Sequence, residues 1–388
     1  MNTKLKKILI ILIIILIIAL AGLLIYNFFI KKPSPGKEEG TGGFPEGEEG
    51  GYQPQEQEEF IPQPQAKIKA ISKSPVISPA LTADKTGVIY YHTNGEVWKS
   101  NFDGSNLSQV SSAVLDNLIK IIWSPDKNKV VSIFEDSVGN VSKYFYNYES
   151  GKAILLSKYI NYIAWSPDSA QIAYQYQNDF TDENNISTSN PDGSKYAQIF
   201  KTRMKDLIVE WPKGTEIFLR EKPSGLVQSS LYSLNTLTKS FTKVIADIYG
   251  FSIKWSADGN KLLYSQTTAN GKNIGIYTAG RSGSNQKSAN VSTLAEKCVW
   301  AQDPRIIYCA IPRNINDANI LPDDFYKGTF SSNDEFWKIN IENNEKTKIL
   351  DDSKITEIYD ATDLLLSPQE SYLMFVNKKN GLLYSIKL

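Results

Sequence analysis

Short runs of alternating apolar and polar residues recur along most of the chain, and turn residues separate them. Such runs are typical of half-buried strands. In turns such as Ser256-Ala257-Asp258-Gly259, the Ser and Asp side chains can hydrogen-bond to the backbone nearby, and proline in related copies presets the turn's φ. In the unit that begins at Phe251, the sequence predicts four strands, at 251–255, 261–266, 273–278 and 290–294.

The same unit recurs seven times. Clear copies read Ile-Ile-Trp-Ser-Pro-Asp at 121–126, Ile-Ala-Trp-Ser-Pro-Asp at 163–168 and Ile-Lys-Trp-Ser-Ala-Asp-Gly at 253–259. Counting the weaker copies, the key positions of the repeat are 81, 123, 165, 211, 255, 300 and 366, which lie 42, 42, 46, 44, 45 and 66 residues apart. A period of this length is typical of propeller blades. The sequence therefore predicts an all-β, seven-bladed propeller of four-stranded blades that start near these positions; six or eight blades are the alternatives.

An aromatic residue follows several key positions at a distance of nine residues. Tyr90, Tyr174, Tyr264 and Phe375 keep this register, and Ser132 breaks it. Five of the seven tryptophans also occupy one repeat position. We interpret both sets as packing between neighbouring blades and assign neither to a ligand site.

The Trp-Ser-Pro-Asp-Gly type of turn, followed by an apolar strand, resembles the repeats of periplasmic TolB proteins and related WD-like propellers. Similar repeats occur in the propellers of prolyl-oligopeptidase-type peptidases. The resemblance covers residues from about 66 to 388 and implies architecture, but it says little about activity. The chain departs from true WD repeats, because its Trp precedes the first turn of the unit.

The last unit has room for only three strands, so it needs a fourth from elsewhere. Residues 67–72 resemble the fourth strands of other units, and we expect them to complete the seventh blade. Pairing the first and last segments in one sheet would close the ring and hide an exposed edge.

The N-terminal residues have a different composition, and they divide the chain into three parts. Residues 1–32 are predicted to be a transmembrane signal-anchor, because the 23 residues 8–30 are almost wholly apolar and can span a core of roughly 30 Å at about 1.5 Å per residue. Residues 33–66, rich in Pro, Gly and Glu, are predicted to be a disordered linker. Residues 67–388 form the propeller.

Two alternatives concern the anchor. Ala19-Leu20-Ala21 before Gly22 is similar to a signal-peptide cleavage site, but the apolar run continues through Phe28, Phe29 and Ile30, which favours an uncleaved anchor. Lysines flank both ends of the run, so charge alone discriminates weakly. We expect a cytoplasmic N-terminus and an extracytoplasmic propeller, because the far side soon becomes acidic.

Charge and residue types argue against several functions. Of 42 basic and 42 acidic residues, six lysines lie before residue 38 and eight glutamates at 38–59, so the propeller is nearly neutral and is not expected to bind nucleic acid. The single histidine, His92, lies beside a predicted turn, and the chain has no Gly-x-Ser-x-Gly motif. One histidine and two cysteines cannot form a zinc tetrad. We therefore predict a protein without catalytic residues, metal or cofactor.

The two cysteines fall in adjacent predicted strands of the sixth blade. If Trp300 pairs with Ile307, Cys298 faces Cys309 on the same side of the sheet. An oxidising compartment would permit a disulfide there, and two buried free thiols are the alternative.

The long sixth unit contains an insertion at about 311–333, between its second and third strands. Such loops leave the propeller on the face that also carries the loops between blades, so the insertion should project over one mouth of the channel. Binding residues concentrate on loops of a rigid scaffold. The candidate partner-binding residues are Arg313, Asp323, Asp324, Phe325 and Tyr326. The alternative is a structural plug that packs Leu321, Phe325 and Tyr326 onto the propeller.

The resulting hypothesis is a non-enzymatic protein-interaction scaffold of the cell envelope, held at the membrane by residues 8–30. Its expected partner is an envelope protein. Recognition of a cell-wall polymer or other glycan is the alternative. A polysaccharide-active enzyme that uses carboxylates is a third possibility, because carboxylate chemistry needs no histidine.

Overall fold

The computed structural model describes residues 68–388, apart from 352, 354 and 356. These residues form seven four-stranded antiparallel sheets. The first strands of most neighbouring sheets contact one another, which places the first strands around the centre of a ring. The seven-bladed propeller predicted from the repeat is confirmed. The predicted anchor and linker lie outside the described residues.

Each of the first four blades takes its strands in sequence order from the centre outward. Blade 1 contains β2 (Val76–Leu81), β3 (Gly87–His92), β4 (Val97–Asn101) and β5 (Ser108–Ser111). Blade 2 contains β6 (Leu118–Trp123), β7 (Lys129–Glu135), β8 (Val141–Asn147) and β9 (Lys152–Leu155). Blade 3 contains β10 (Ile160–Trp165), β11 (Ile172–Asn178), β12 (Glu183–Ser189) and β13 (Ala197–Lys201). Blade 4 contains β14 (Ile208–Lys213), β15 (Glu216–Arg220), β16 (Gln228–Asn235) and β17 (Phe241–Tyr249).

The remaining three blades follow the same plan, except that the last one includes the N-terminal strand. Blade 5 contains β18 (Ile253–Trp255), β19 (Lys261–Thr268), β20 (Lys272–Gly280) and β21 (Lys287–Ser288). Blade 6 contains β22 (Cys298–Trp300), β23 (Ile306–Pro312), β24 (Asp334–Asn340) and β25 (Lys346–Lys348). Blade 7 contains β26 (Ala361–Leu366), β27 (Tyr372–Asn377), β28 (Leu383–Lys387) and β1 (Ile68–Ala70). Short helices occur at Ala269–Gly271, Ala295–Lys297 and, as α1, Asp323–Tyr326.

The ring closes as expected from the sequence. β1 pairs antiparallel with β28, with Ile68 opposite Ile386 and Ala70 opposite Tyr384. Ile68 and Ile71 are buried in the clusters on either side of blade 7. One sheet therefore joins the two ends of the propeller and leaves no open edge on β28.

The tryptophans of the repeat connect neighbouring blades. Three indole N–H groups donate to a backbone carbonyl of the preceding blade's first strand at 2.8–3.0 Å: Trp123 to Ser78, Trp165 to Ile122 and Trp300 to Lys254. Trp255 donates instead to the Glu210 carboxylate at 2.6 Å, and Trp211 donates within its own blade to Gly214. Most of the repeated tryptophans thus contact the preceding blade, in agreement with their interpretation as packing residues.

The turn after each clear copy of the motif is held by its own side chains. Ser124 accepts from Lys129 N and donates to Asp126 Oδ1, which in turn accepts from Asn128 N. The same bonds link Ser256 to Lys261 and Asp258. These contacts explain why a Ser and an Asp recur two residues apart.

One predicted strand is wrong. Residues 290–294 do not form the fourth strand of blade 5, because β21 is the two-residue strand Lys287–Ser288. Asn290 has φ of 53°, which interrupts the extended backbone after Ala289. Val291 and Leu294 are nevertheless buried, in two different clusters of the core. The apolar residues of this connecting segment make core contacts, and the mixed apolar and polar pattern alone cannot distinguish such a segment from a strand.

Lys297 forms a wholly buried ion cluster where blade 6 meets blade 7. Its ammonium lies 2.8 Å from Asp334 Oδ2, 2.8 Å from Asp360 Oδ1 and 2.9 Å from Ser332 Oγ, and all three charged side chains are at most 2% exposed. Burial raises the pKa of Asp334. Burial also opposes ionisation of Asp360, but the Lys297 ammonium outweighs it and lowers that pKa. The cluster therefore joins the connection before β22 to β24 and to the start of β26.

The cysteines occupy the predicted register. Trp300 is opposite Ile307, and Cys298 is opposite Cys309 with their Cα atoms 4.1 Å apart. The structure joins the two sulfur atoms in a disulfide, and both residues are fully buried.

The oxidation state can be tested by intact mass. Alkylation of the unfolded protein without reductant is expected to leave the mass unchanged, because neither thiol is free, and alkylation after reduction should add two groups. Addition of two groups without reductant would show that the cysteines are thiols in the isolated protein.

Candidate functional site

The insertion of blade 6 lies over one mouth of the ring. It connects β23 to β24 and includes α1. Leu321 and Phe330 are buried against Ile274 and Leu294, with Phe325 partly buried beside them. The insertion thus has a small hydrophobic core of its own on top of blade 5.

Hydrogen bonds attach the insertion to the loops of blades 4 and 5. Asp323 accepts from Ser224 Oγ at 2.8 Å and from Gly225 N at 2.7 Å. Leu321 N donates to Gly271 O at 3.0 Å. A Cβ on Gly225 would lie 2.4 Å from Leu321 O, so this loop needs glycine to let the insertion approach.

The five predicted partner-binding residues are not brought together. Asp323 and Tyr326 line a cavity at the mouth. Arg313 lies 3.6 Å from Glu335 elsewhere on blade 6, and Asp324 accepts from Ile320 N inside the insertion. Phe325 packs in the insertion core, where the Lys378 ammonium lies 4.3 Å from its ring centre. Much of the insertion therefore packs onto the propeller, as the structural-plug alternative predicts. Of the five candidate partner-binding residues, only Asp323 and Tyr326 line the cavity.

This cavity, which we call the mouth cavity, has a volume of about 920 Å³. It lies between the insertion and blades 2, 3 and 4. Its polar lining consists of Lys120, Lys143, Asn161, Tyr162, Glu210, Arg220, Lys222, Glu296, Asp323, Tyr326 and Lys327. The size is in the range of pockets that hold a ligand rather than single waters.

The carboxylates of the mouth cavity are already bound by neighbouring donors. Glu210 accepts from Trp255 and from Arg220 Nε, at 2.6 and 3.3 Å. Glu296 accepts from Ser252 Oγ and from the Tyr326 hydroxyl. Asp323 is held by the blade 4 loop, as described above. These acidic groups therefore serve as internal hydrogen-bond acceptors.

Two cations of the mouth cavity are less well compensated. Lys143 is only 8% exposed, and its ammonium donates to the neutral Asn161 Oδ1 at 3.1 Å. Burial lowers the pKa of Lys143. Arg220 is also 8% exposed; its Nε is ion-paired with Glu210 at 3.3 Å, but its Nη1 is buried without a hydrogen-bond partner among the described residues. Buried cations are costly unless an anion or several acceptors surround them, so both groups favour an anionic ligand.

Two tyrosines complete the cavity. Tyr162 carries the Lys222 ammonium 5.7 Å from its ring centre. Burial and the nearby Glu296 carboxylate raise the pKa of Tyr326 well above its usual value, so its hydroxyl stays protonated and donates to Glu296. Both rings can offer flat contact surface next to the cations.

Comparison with solved structures identifies the same architecture elsewhere. An oligogalacturonate lyase in complex with manganese is 11% identical, with a TM-score of 0.59 over 83% of this chain and 93% of that chain. An uncharacterized protein from Listeria monocytogenes is 11% identical, with a TM-score of 0.52 over 81% and 95%. TolB from Acinetobacter baumannii is 12% identical, with a TM-score of 0.45 over 70% and 62%. The two likenesses with a TM-score above 0.5 show the fold alone.

The similar folds include an enzyme, so the fold does not select between catalysis and binding. No family model matches the chain, and no curated protein matches its sequence. Within residues 68–388, no helix is long and apolar enough to cross a bilayer, and the described side chains include no cluster of three or more His, Cys, Asp or Glu suited to a metal ion.

Sequence reasoning missed most of the mouth cavity. Lys120 lies three residues before the key Trp123, a position that the repeat places on a first strand, and this spacing could have indicated it. Lys143 and Arg220 lie on third and second strands, where the sequence gives no indication that they meet. They line one cavity because blades 2, 3 and 4 converge at the mouth.

The attachment of the insertion gives a testable prediction. Asp323→Ala removes two hydrogen bonds to blade 4, which should cost about 1–3 kcal/mol locally and make residues 313–330 sensitive to limited proteolysis. Asp317→Ala is the matched control, because that exposed residue of the same insertion is bonded only through its backbone carbonyl. Equal cleavage of the two variants would contradict the attachment role of Asp323.

Proposed function

We propose that the protein is a non-enzymatic binding module of the cell envelope, and that its mouth cavity holds a carboxylate-bearing segment of a partner protein. The observation that carries this proposal is Lys143, a buried ammonium with only a neutral side-chain acceptor. Arg220 supports it through its unpartnered Nη1. An Asp or Glu side chain entering the cavity would compensate both cations with charge-assisted hydrogen bonds.

The charges of the cavity agree with an acidic ligand. Five lysine and arginine side chains and three carboxylates line it, and the carboxylates already accept hydrogen bonds from the protein. A cavity with more positive than negative side chains attracts a negatively charged ligand and speeds its association. The rigid ring keeps these groups in place before the ligand arrives, which reduces the entropic cost of binding.

We further propose that residues 8–30 tether this module to the membrane, with the N-terminus cytoplasmic and the propeller outside. The apolar length of that segment supports the tether. The linker at 33–66 would let the propeller reach a partner in the envelope without fixing its orientation, because its composition is that of a flexible chain.

Site-directed photocrosslinking in intact cells tests this function. A benzoylphenylalanine at Val141, on the edge of the mouth cavity, is expected to capture a defined envelope protein, and Lys143→Met should abolish that product. The control position is Leu237, an exposed residue in the turn between β16 and β17. The same product from Leu237, or capture that persists in Lys143→Met, would contradict the proposal. Protease accessibility of the propeller in the same cells tests the topology.

A carboxylated glycan is the second candidate ligand. The observation that favours it is the pair of tyrosines, Tyr162 and Tyr326, next to the cations, because sugar rings can pack on aromatic faces. Binding of purified cell-wall polymer that carries carboxylates, weakened by Lys143→Met, without any protein crosslink from Val141, would replace the protein partner by this glycan.

A further inference from the structure

One blade lacks the side chain that fills the space towards its predecessor. In most blades the key residue of the first strand pairs with a residue of the second strand. Two residues further along that second strand, four blades carry a buried aromatic side chain: Tyr90, Tyr174, Tyr264 and Phe375. At the corresponding position, β15 carries Leu219 and β23 carries Cys309 of the disulfide. In blade 2 the residue is Ser132, two residues after Val130, which pairs with Trp123.

A cavity occupies the space that an aromatic side chain fills elsewhere. It lies between blades 1 and 2, has a volume of about 320 Å³ and includes Ser132 in its wall. We call it the interblade cavity. Its walls also include the rings of Tyr91, Phe134, Tyr144, Tyr146 and Tyr148 and the small residues Gly95, Ser111, Ala113 and Ala153. The small side chain of Ser132 therefore accounts for the cavity at this position of the repeat.

The chemistry of the walls favours an uncharged ligand. No charged side chain lines the cavity. The hydroxyls of Tyr91 and Tyr148 hydrogen-bond to each other, and burial raises the pKa of Tyr91 to about 12, so this pair is neutral at physiological pH. A charged group entering this space would lose its hydration without gaining a partner.

The rings are arranged to receive another ring. Phe134 meets Tyr144 edge to face at 5.7 Å, and Tyr146 meets Tyr148 edge to face at 5.1 Å. Aromatic rings prefer such edge-to-face or offset contacts, and an incoming ring can extend the cluster. A volume of about 320 Å³ is at the lower end for ligand pockets and suits one ring better than an extended chain.

The rim of the cavity is apolar as well. Two large apolar side chains that adjoin wall residues in the sequence or across the sheet are exposed. Val114 stands between the wall residues Ala113 and Leu115 and is 65% exposed; Leu155 pairs across the sheet with Tyr144 and is 59% exposed. Exposed apolar surface of this kind marks protein-interaction sites.

We propose that the interblade cavity is an anchor site for one aromatic side chain of a protein partner, with the apolar rim contacting the residues that flank it. Aromatic anchors in desolvated pockets dominate the binding energy of many interfaces. The interblade cavity and the mouth cavity share no lining residue, so binding at each can be tested separately.

Capped tripeptides Gly-Trp-Gly, Gly-Phe-Gly and Gly-Glu-Gly are suitable probes, with NMR signals of the alanine methyl groups as the readout. We expect saturable shifts at Ala113 and Ala153 with the two aromatic peptides at millimolar concentration, and none with Gly-Glu-Gly. Lys143→Met should leave this binding unchanged. Equal responses to all three peptides, or no saturable shift, would overturn the proposal.

The filling variant Ser132→Tyr provides the control for location. A tyrosine there supplies the aromatic side chain that four other blades carry, so it should raise the melting temperature by several degrees and weaken aromatic-peptide binding at least tenfold. If Ser132→Tyr fails to fold, Ala153→Phe on β9 obstructs the same cavity from its outer wall. Undiminished binding in a folded filling variant would overturn the proposal, as would a methyl glucoside that displaces the aromatic peptides and binds more tightly.

Discussion

Lys297→Met is expected to lower the free energy of unfolding by about 3–5 kcal/mol. The substitution leaves Asp334 and Asp360 buried next to each other without the ammonium that lies 2.8 Å from both. Methionine fills a similar volume, so the loss should come from the uncompensated carboxyl groups rather than from a void. Denaturation of the full chain in guanidinium chloride, followed by tryptophan fluorescence, measures the change.

Two further variants distinguish the effect of the uncompensated buried carboxyl groups from the effect of losing any one positive charge. Arg305→Met breaks an ion pair with Asp303 in which both side chains are more than one-third exposed, and it should change stability by less than about 1 kcal/mol. Adding Asp334→Asn and Asp360→Asn to Lys297→Met removes the unpaired carboxylates and should recover much of the loss. A triple variant as unstable as Lys297→Met would mean that packing, not charge, is responsible.

Lys143→Met is expected to have opposite effects on stability and on ligand binding. Removing a buried ammonium with only a neutral acceptor should raise the free energy of unfolding by about 1 kcal/mol. Removing its bond to a carboxylate should weaken binding of an acidic peptide about tenfold to a hundredfold, the equivalent of a charge-assisted hydrogen bond. Denaturation and fluorescence anisotropy with labelled hexaglutamate measure the two effects.

The stability gain should also depend on pH in a defined direction. Burial lowers the pKa of Lys143 in the folded protein, whereas the unfolded chain keeps a lysine pKa of about 10.4. Between those two values the unfolded state binds more protons, so the stability of the natural protein rises with pH. The advantage of Lys143→Met should therefore be largest below the folded-state pKa of Lys143 and shrink as the pH rises towards about 10.4.

The matched control for both effects is Lys152→Met. Lys152 belongs to the same blade but is exposed on the outer strand β9. Its removal changes net charge by the same amount without changing the mouth cavity. If Lys152→Met weakens hexaglutamate binding as much as Lys143→Met does, long-range attraction rather than a specific contact accounts for the affinity.

The features of the fold that the sequence predicted are those set by local repetition. Period-two alternation and Ser-Asp turns fix the strands, and a repeated Trp fixes the spacing of the blades. The closing strand could be predicted because the last unit was one strand short. The pairing of Cys298 with Cys309 followed from counting residues around one hairpin.

The charged sites could not be predicted in this way, because they depend on how separate blades converge. Lys143 and Arg220 come from different blades, 77 positions apart in the sequence, and line the same cavity at the mouth. Lys297 has two acidic partners, one in β24 and one just before β26. The sequence did contain one indication of a site, Ser132 at a position where four other blades carry an aromatic residue, but the cavity beside it could be recognised only with the neighbouring blade in place.

A structure of the protein with hexaglutamate would show directly whether the mouth cavity binds carboxylates. We expect glutamate carboxylates in the mouth cavity, within hydrogen-bonding distance of Lys143 Nζ and Arg220 Nη1. A peptide bound elsewhere on the propeller, or an empty mouth cavity at saturating peptide concentration, would contradict it.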